Sequence, residues 1–528
     1  MRFSIIGENR YEWGACYLAV TNGSGIAVPL DKYLPENEAE TLIERGKVDV
    51  IFYSPSFHDM MVSISNKNKR LKYYICMEQL DNMPDDARFR NLPDLIEKGD
   101  ELLKSGDKSF VNAEINNAEM SVLLFTSGTT SISKGVMLSH INIVSNVVSI
   151  AATLKAGPGD VHLSLLPLHH TFENTVGFLF MVSAGVCIAY CDGIKYIAQN
   201  LKEYDISLLV AVPAVFETFY KRLTEGIKKS GKEKLVNLLI KVSNFLRAIG
   251  IDLRRKLFKS IFDQFAPRLR LAVSGAAPLD PEMVVWFENI GFRLLQGYGL
   301  TEASPVVASN NDFVNEPGTI GYPIKDVEVA ILDPDENGMG ELITRGPNVM
   351  LGYYEDPDAT SETLIPEGWL KTGDLATIDD KGFIRITGRA KSMIVFTNGK
   401  KAFPEEYEML LSNVPGVKDS FVWGNKAPDG DIQVCAKIII DMDSLSPEGG
   451  LSEMDIPEML DSAIKEINKG LPQYKIIRYF VFSFKNLIKT TTLKTKRNIE
   501  LERVLTAVRN SGLDMRRING KLIDTFEE

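Results

Sequence analysis

Short apolar runs alternate with amphipathic stretches along most of the chain, and glycine marks many of the joins. Trp13 to Val20 has the spacing of a buried helix, Gly23 and Gly25 stop it, and Ile26 to Leu30 follows as an apolar strand. The same order returns at Val176 to Ser183, Gly185, and Val186 to Cys191. A third unit is sharper. Strand Leu269 to Val273 enters the turn Ser274, Gly275, Ala276, Ala277, and then Asp280 stands as N-cap with Pro281 at the first helical position. Gly291 ends that helix, and strand Phe292 to Leu295 follows. Arg2 to Gly7 reads as a further short strand. Alternation of this kind predicts an α/β fold, a large N-terminal domain over residues 1–388 built from mostly parallel sheets covered by helices. In such sheets ligands sit at the carboxyl ends of the strands, so the glycine-rich turns there are the places to search.

Past Gly388 the elements shorten. Helix Pro404 to Ser412, strands Ser420 to Trp423 and Ile432 to Ile440, helix Ile456 to Lys469 and strand Ile476 to Ser483 predict a small α+β domain over residues 389–528. The joint falls at Gly388, Arg389, Ala390 and Lys391. From Arg503 onward the chain reads as a charged tail. Between residues 221 and 270 it is helical and basic, with Lys228, Lys229, Lys232, Lys234, Lys241, Arg254, Arg255, Lys256 and Lys259 interleaved with Leu, Ile and Phe. An ordinary helical insert with a solvated lysine face explains this stretch, and peripheral contact with an anionic membrane is the alternative.

Composition narrows the class. A chain of 528 residues exceeds the usual size of a single core, and 45% apolar with 24% charged residues suits a folded soluble protein. A formal charge of -11 argues against general nucleic-acid binding. The five cysteines, Cys16, Cys76, Cys187, Cys191 and Cys435, are scattered without zinc-ligand spacing, and no secretory signal precedes them. They predict reduced thiols and a cytoplasmic location. The uncharged stretch Asn174 to Cys191 is too short to span a bilayer and is broken by glycine.

Three turns carry chemistry. Strand Val122 to Phe125 leads into Thr126, Ser127, Gly128, Thr129 and Thr130, closed by Lys134 and Gly135. Hydroxyls, close backbone approach at glycine and one cation are what a phosphate chain requires, although a solvated Ser/Thr loop has the same composition. Ser133, Lys134 and Gly135 do not form the Gly-Lys-Ser/Thr of an ordinary P-loop, so an unrelated NTPase is disfavoured. Gln296, Gly297, Tyr298, Gly299, Leu300, Thr301 and Glu302 offer an aromatic face, a hydroxyl and a hard oxygen suited to Mg2+. Asp374, after Thr372 and Gly373, is placed to bind paired hydroxyls or to close a turn.

In this order the three turns resemble the acyl-adenylate-forming superfamily of acyl-CoA synthetases, luciferases and peptide-synthetase adenylation domains. The resemblance runs from Gly7 to Arg497. It implies that Thr126 to Lys134 embraces the pyrophosphate end of ATP, that Gly275, Ala276, Gln296, Tyr298 and Gly299 surround the nucleotide base, and that Thr301 and Glu302 serve phosphate and Mg2+. It also implies that Asp374 and Arg389 reach the ribose, that Lys391 is the hinge of a mobile small domain, and that Lys494 is the catalytic lysine of adenylation. The implied reaction forms acyl-AMP with release of pyrophosphate and then passes the acyl group to the thiol of coenzyme A. A carrier-protein thiol is the alternative acceptor, and a silent acyl- or nucleotide-binding relative is the alternative of another class.

Leu166-Pro-Leu-His-His-Thr-Phe-Glu173, the basic insert and the Lys494 neighbourhood resemble the long-chain branch, which implies a medium- or long-chain fatty acid and an active-site role for His170. His169 is expected to fill space. Phe216 stands where long-chain enzymes often have a tryptophan at the mouth of the acyl tunnel. Three departures stand out: Ser131 and Ser133 replace the usual glycine and proline, Leu493 replaces a frequent glycine, and Gly7 to Trp13 lies farther into most family members. An N-terminal segment is therefore expected to be missing.

Overall fold

The computed structural model describes residues 1–126, 133–427, 430–442, 453–490 and 494–527. The chain divides into two compact units. The larger comprises Met1–Ala330, Ile343–Thr372 and Asp379–Arg385, and the smaller comprises Ile331–Leu342, Gly373–Ile378 and Ile386–Glu528. The single cut at residue 388 read from the sequence therefore becomes a discontinuous one. Backbone ladders join strands that are distant in sequence, and that pairing leaves no local mark.

Two sheets fill the larger unit. In the first, Gly352–Tyr353, Lys134–Ser139, Met120–Thr126, Ile26–Pro29, Arg2–Ile6, Val50–Tyr53, Tyr73–Cys76 and Phe89–Asn91 lie in that order. From Met120–Thr126 onward the neighbours are parallel, while the first two strands are antiparallel additions. The second sheet runs Tyr322–Pro323, Val306–Ser309, Arg293–Gly299, Leu271–Ser274, Leu208–Ala211, Val161–Ser164, Cys187–Tyr190, and it is parallel from Arg293–Gly299 on. Continuously apolar strands such as Val50–Tyr53 and Leu208–Ala211 are buried at every position, as a sheet covered on both faces requires.

The best local prediction is helix Pro281–Ile290. The Asp280 carboxylate accepts from the Glu282 N–H at 2.8 Å, and Gly291 takes a left-handed conformation at φ 89° that a side chain would strain. Trp13 stacks on Tyr17 at 5.6 Å between ring centroids, and the Tyr17 ring meets Phe178 edge-on at 6.4 Å. Each such buried aromatic contributes about 1.5–3 kcal/mol. The segment Asn174 to Cys191 folds as Phe172–Phe180, Met181–Ser183 and strand Cys187–Tyr190. Among the described residues no helix is long and apolar enough to cross a membrane.

The smaller unit is built on a three-stranded sheet with Ile432–Ile440 at its centre, antiparallel to Val417–Lys426 and parallel to Ile477–Ser483. Helices Pro404–Ser412 and Ile456–Lys469 keep the bounds read from the sequence. The charged tail does not survive. Arg497–Ser511 is a helix, and Val504 and Ala507 are buried with Met515, Ile518 and Ile523 against Phe421, Trp423, Cys435 and Val481. Apolar residues three apart form a narrow inward stripe that the surrounding charges disguise. Lys437, on the central strand, is fully buried and pairs with Glu500 at 2.8 Å and Glu527 at 2.9 Å. All five cysteines are free thiols, as expected.

Candidate active site

In the larger unit strand Met120–Thr126 pairs with Lys134–Ser139 in a register that sets Thr126 opposite Lys134. The Thr126 hydroxyl donates to the Lys134 carbonyl at 3.4 Å. Ser127, Gly128, Thr129 and Thr130 lie outside the described residues. The Lys134 ammonium sits 4.6 Å above the Tyr353 ring, and the Tyr353 hydroxyl donates to Glu302 Oε1 at 2.8 Å. Burial, and then the Glu302 carboxylate, push the Tyr353 phenol above its ordinary range, so it keeps its proton. Backbone pairing of Tyr353 with Val136 fixes that ring beside the strand of Lys134. Glu302 is held a second time, its carbonyl accepting from the Met350 N–H at 2.9 Å. Thr301 and Thr171 share a hydroxyl contact of 3.4 Å. Lys134 and Glu302 thus come together through Tyr353, a residue the sequence did not single out, and Thr301 stands next to Glu302 in the chain.

The turn that carries Glu302 is set by steric necessity. A Cβ on Gly299 would fall 2.0 Å from the Pro305 carbonyl oxygen, so no side chain fits there. A Cβ on Gly275 would lie 2.9 Å from the Phe172 ring, and Ala276 beside it adopts φ 74°, a strained conformation of the kind that gathers at functional sites. Gln296 Oε1 is buried with no hydrogen-bond partner among the described residues. An orphaned acceptor calls for a donor from outside the chain.

His169 and His170 lie in a loop braced by Asn9. The Asn9 amide donates to Leu166 O at 2.6 Å and Ser164 Oγ at 3.0 Å, and its oxygen accepts from the Leu168 N–H at 3.2 Å. Ser164 Oγ in turn donates to the buried Glu173 carboxylate at 2.7 Å. The His169 ring packs 4.2 Å from the His170 ring, with its Nε2 3.6 Å from Asp31 Oδ2. Burial, followed by the Lys32 cation, lowers the His169 pKa from 6.5 to about 3, so this imidazole is neutral and occupies interior space. Phe216 is fully buried in helix Pro213–Lys229, edge-on to Phe219 at 6.2 Å.

In the smaller unit Asp374 lies on Trp369–Ile378 and accepts from Arg389 Nε at 2.8 Å. The carboxylate is nearly buried while half of the arginine side chain is exposed. Lys391 stands in the single turn Ala390–Ser392 that follows. Lys494 is exposed on a hairpin closed by the bridge between Lys489 and Thr495. There the Thr490 N–H donates to the Lys494 carbonyl at 2.8 Å, and the Lys494 N–H donates to Thr490 Oγ1 at 3.1 Å. The hairpin root is anchored more deeply. The Ile488 N–H donates to Glu500 at 3.1 Å, Lys489 pairs with Asp419, and Arg497 pairs with Glu408 at 2.5 Å. Leu493 lies outside the described residues.

The profile of the AMP-binding enzyme family matches residues 1–354. Long-chain-fatty-acid–CoA ligase 5 of Rattus norvegicus is 29% identical over 546 residues, covering 93% of this chain and 77% of the relative. Long chain acyl-CoA synthetase 6, peroxisomal, of Arabidopsis thaliana is 26% identical over 544 residues, covering 95% and 76%. Among solved structures, ATP-bound MatB from Rhodopseudomonas palustris superposes with a TM-score of 0.68 at 24% identity, covering 94% of this chain and 87% of that one, a likeness of fold. Taken with the parallel sheets and the ordered turns, the profile match makes this chain a member of the AMP-binding enzyme family.

Proposed function

We propose that this chain is an AMP-forming acid–thiol ligase that activates a medium- or long-chain fatty acid with ATP and transfers the acyl group to coenzyme A. The observation that carries this reading is the similarity to relatives named as long-chain acyl-CoA synthetases and ligases, which extends over more than nine tenths of the chain. A carboxylate oxygen attacks the α-phosphorus of ATP, the bond to the β-phosphate oxygen breaks, and pyrophosphate leaves. The acyl carbonyl of the resulting mixed anhydride is then attacked by a thiolate, with AMP as leaving group. Neither step needs a covalent intermediate on the protein, so catalysis rests on positioning and on charge neutralisation.

The residues divide that work. Thr126 and Lys134 meet the outer phosphates, and the orphaned Gln296 Oε1 accepts from the adenine amino group. Asp374, oriented by Arg389, binds the ribose hydroxyls, and Lys494 offsets charge on the reacting carboxylate and α-phosphate. The hard oxygens of Thr301 and Glu302 fit Mg2+, whose chemistry would be to neutralise the phosphates. Tyr353 restrains the Glu302 carboxylate by occupying one of its oxygens. His170, braced by the Asn9 network, is assigned to the acid side.

Acid-dependent exchange of radiolabelled pyrophosphate into ATP, run from acetate to long-chain and aryl acids, tests the reading. Exchange rising with acyl length is expected, and absence of exchange with every acid would refute it. Competition between coenzyme A and a phosphopantetheinylated carrier protein identifies the acceptor, with coenzyme A expected to prevail.

A further inference from the structure

Asp31 and His169 have no part in the chemistry above, yet with His170 they form a cluster of metal-ligating side chains. One carboxylate oxygen and two imidazole nitrogens lie within 4.8 Å of one another, all in the larger unit. Among the described residues no other three histidine, cysteine, aspartate or glutamate side chains converge in this way. Both sides of the cluster are fixed by other bonds. Asp31 follows strand Ile26–Pro29, and its Oδ1 accepts from the Tyr33 N–H at 2.9 Å, while its Oδ2 stands 3.6 Å from His169 Nε2. The histidines lie on a turn in which the His170 N–H donates to Pro167 O at 3.0 Å, and Asn9 braces that turn. His169 Nε2 is buried without a hydrogen-bond partner among the described residues, and only 10% of its side chain is exposed. A buried nitrogen left unpaired, beside a carboxylate too distant to bond it, calls for a third atom between them.

The donor set selects that atom. Two imidazoles and one carboxylate suit Zn2+ with a fourth position left open, whereas Mg2+ prefers oxygen ligands alone. Zn2+ ligands about 2.0–2.1 Å from the ion stand roughly 3.3 Å apart, so the Asp31–His169 separation of 3.6 Å is nearly right and side-chain rotation closes the rest. We propose that Asp31, His169 and His170 bind Zn2+, and that the bound ion slows the ligase by withdrawing His170 from the acid side. The slowing rests on the proposed function, whereas the binding does not. The site also borders the nucleotide machinery, because Thr171, next in the chain to His170, contacts the Thr301 hydroxyl at 3.4 Å. Lys32, beside Asp31, brings a like charge to the cation, so micromolar rather than tighter affinity is expected.

The test is calorimetric titration of the metal-stripped full chain with Zn2+, which should show one ion bound per chain. Co2+ in its place should give the ligand-field bands of a nitrogen- and oxygen-bound ion, without the sulfur charge-transfer band that the exposed thiol of Cys187 would produce. Asp31→Asn keeps an acceptor for the Tyr33 N–H but removes the charge, and it should weaken binding at least roughly tenfold. His169→Gln should abolish binding. Absence of binding in the parent, or equal binding in parent and both variants, would overturn the proposal, and the first result would leave a bridging water between Asp31 and His169. At fixed excess Mg2+, pyrophosphate exchange by the parent should fall as Zn2+ fills the site. Asp31→Asn, compared with its own metal-free rate, should need at least roughly tenfold more Zn2+ for the same loss. Zn2+ uptake that leaves exchange unchanged would overturn the slowing. Zn2+ uptake by a chain that exchanges with no acid would instead count against the proposed function alone.

Discussion

The groups assigned to the chemistry are held in two different ways. In the larger unit Lys134, Tyr353 and Glu302 form a short chain of contacts fixed by strand pairing and by a buried phenol. In the smaller unit Lys494 is exposed on a hairpin, and the firm bonds lie at its root, on Glu500, Asp419 and Glu408. The first arrangement is preorganised, so little reorganisation accompanies charge development there. The second presents a cation on a short arm whose foundation is a buried ion network. Damage to the arm and damage to its foundation should therefore read out differently.

The foundation should give the largest effect. Lys437→Met removes the fully buried cation between Glu500 and Glu527, leaving Arg503 as the cation they still share at 3.7 and 2.5 Å, and should cost about 3 kcal/mol of stability. Calorimetry should show an early transition in the smaller unit. A melting profile like the parent's would break the distinction between arm and foundation. Next, Lys494→Ala should lower pyrophosphate exchange by about a hundred- to a thousandfold, the loss typical of one charge-stabilising donor. Thioester formation from presynthesised acyl-adenylate should stay close to the parent rate, since the role proposed for Lys494 is confined to adenylation. Equal loss in both half-reactions would refute that division.

Tyr353→Phe keeps the ring beneath Lys134 and removes only the donor to Glu302. Exchange should fall roughly tenfold, in line with the loss of one hydrogen bond to a charged group, and half-maximal activity should need more Mg2+. An unchanged Mg2+ dependence would show that Tyr353 does not restrain the carboxylate. The smallest effect concerns His169. Its pKa is lowered from 6.5 to about 3, so below pH 6.5 the unfolded chain takes up the proton before the folded one does. Stability should fall by about 1 kcal/mol over the first pH unit below that point. His169→Gln should flatten this slope in acid melting curves, and a slope like the parent's would place the titration elsewhere.

What the sequence disclosed follows physical range. Helix Pro281–Ile290 was legible because its cap, its first-turn proline and its terminal glycine are all local signals. The α/β alternation likewise followed from apolar runs closed by glycine. Tyr353 was not legible, since its partners Glu302 and Lys134 lie far away in sequence and meet it only through sheet pairing. Asn9 was read as part of a motif but not as the brace of the His169 and His170 loop, for the same reason. The segment after Arg503 was misread because Val504 and Ala507 are few among many charges, and the surface they pack against comes from three separate strands.

Lys437 also makes the smaller unit a reporter of its own integrity. A lysine with no exposed surface cannot meet an amine-directed reagent while the fold is intact, whereas Lys494 stands in solvent. Pulse labelling followed by peptide mass spectrometry would mark Lys494 from the outset and Lys437 only after opening. The ratio of the two adducts would thus time local unfolding without any engineered probe.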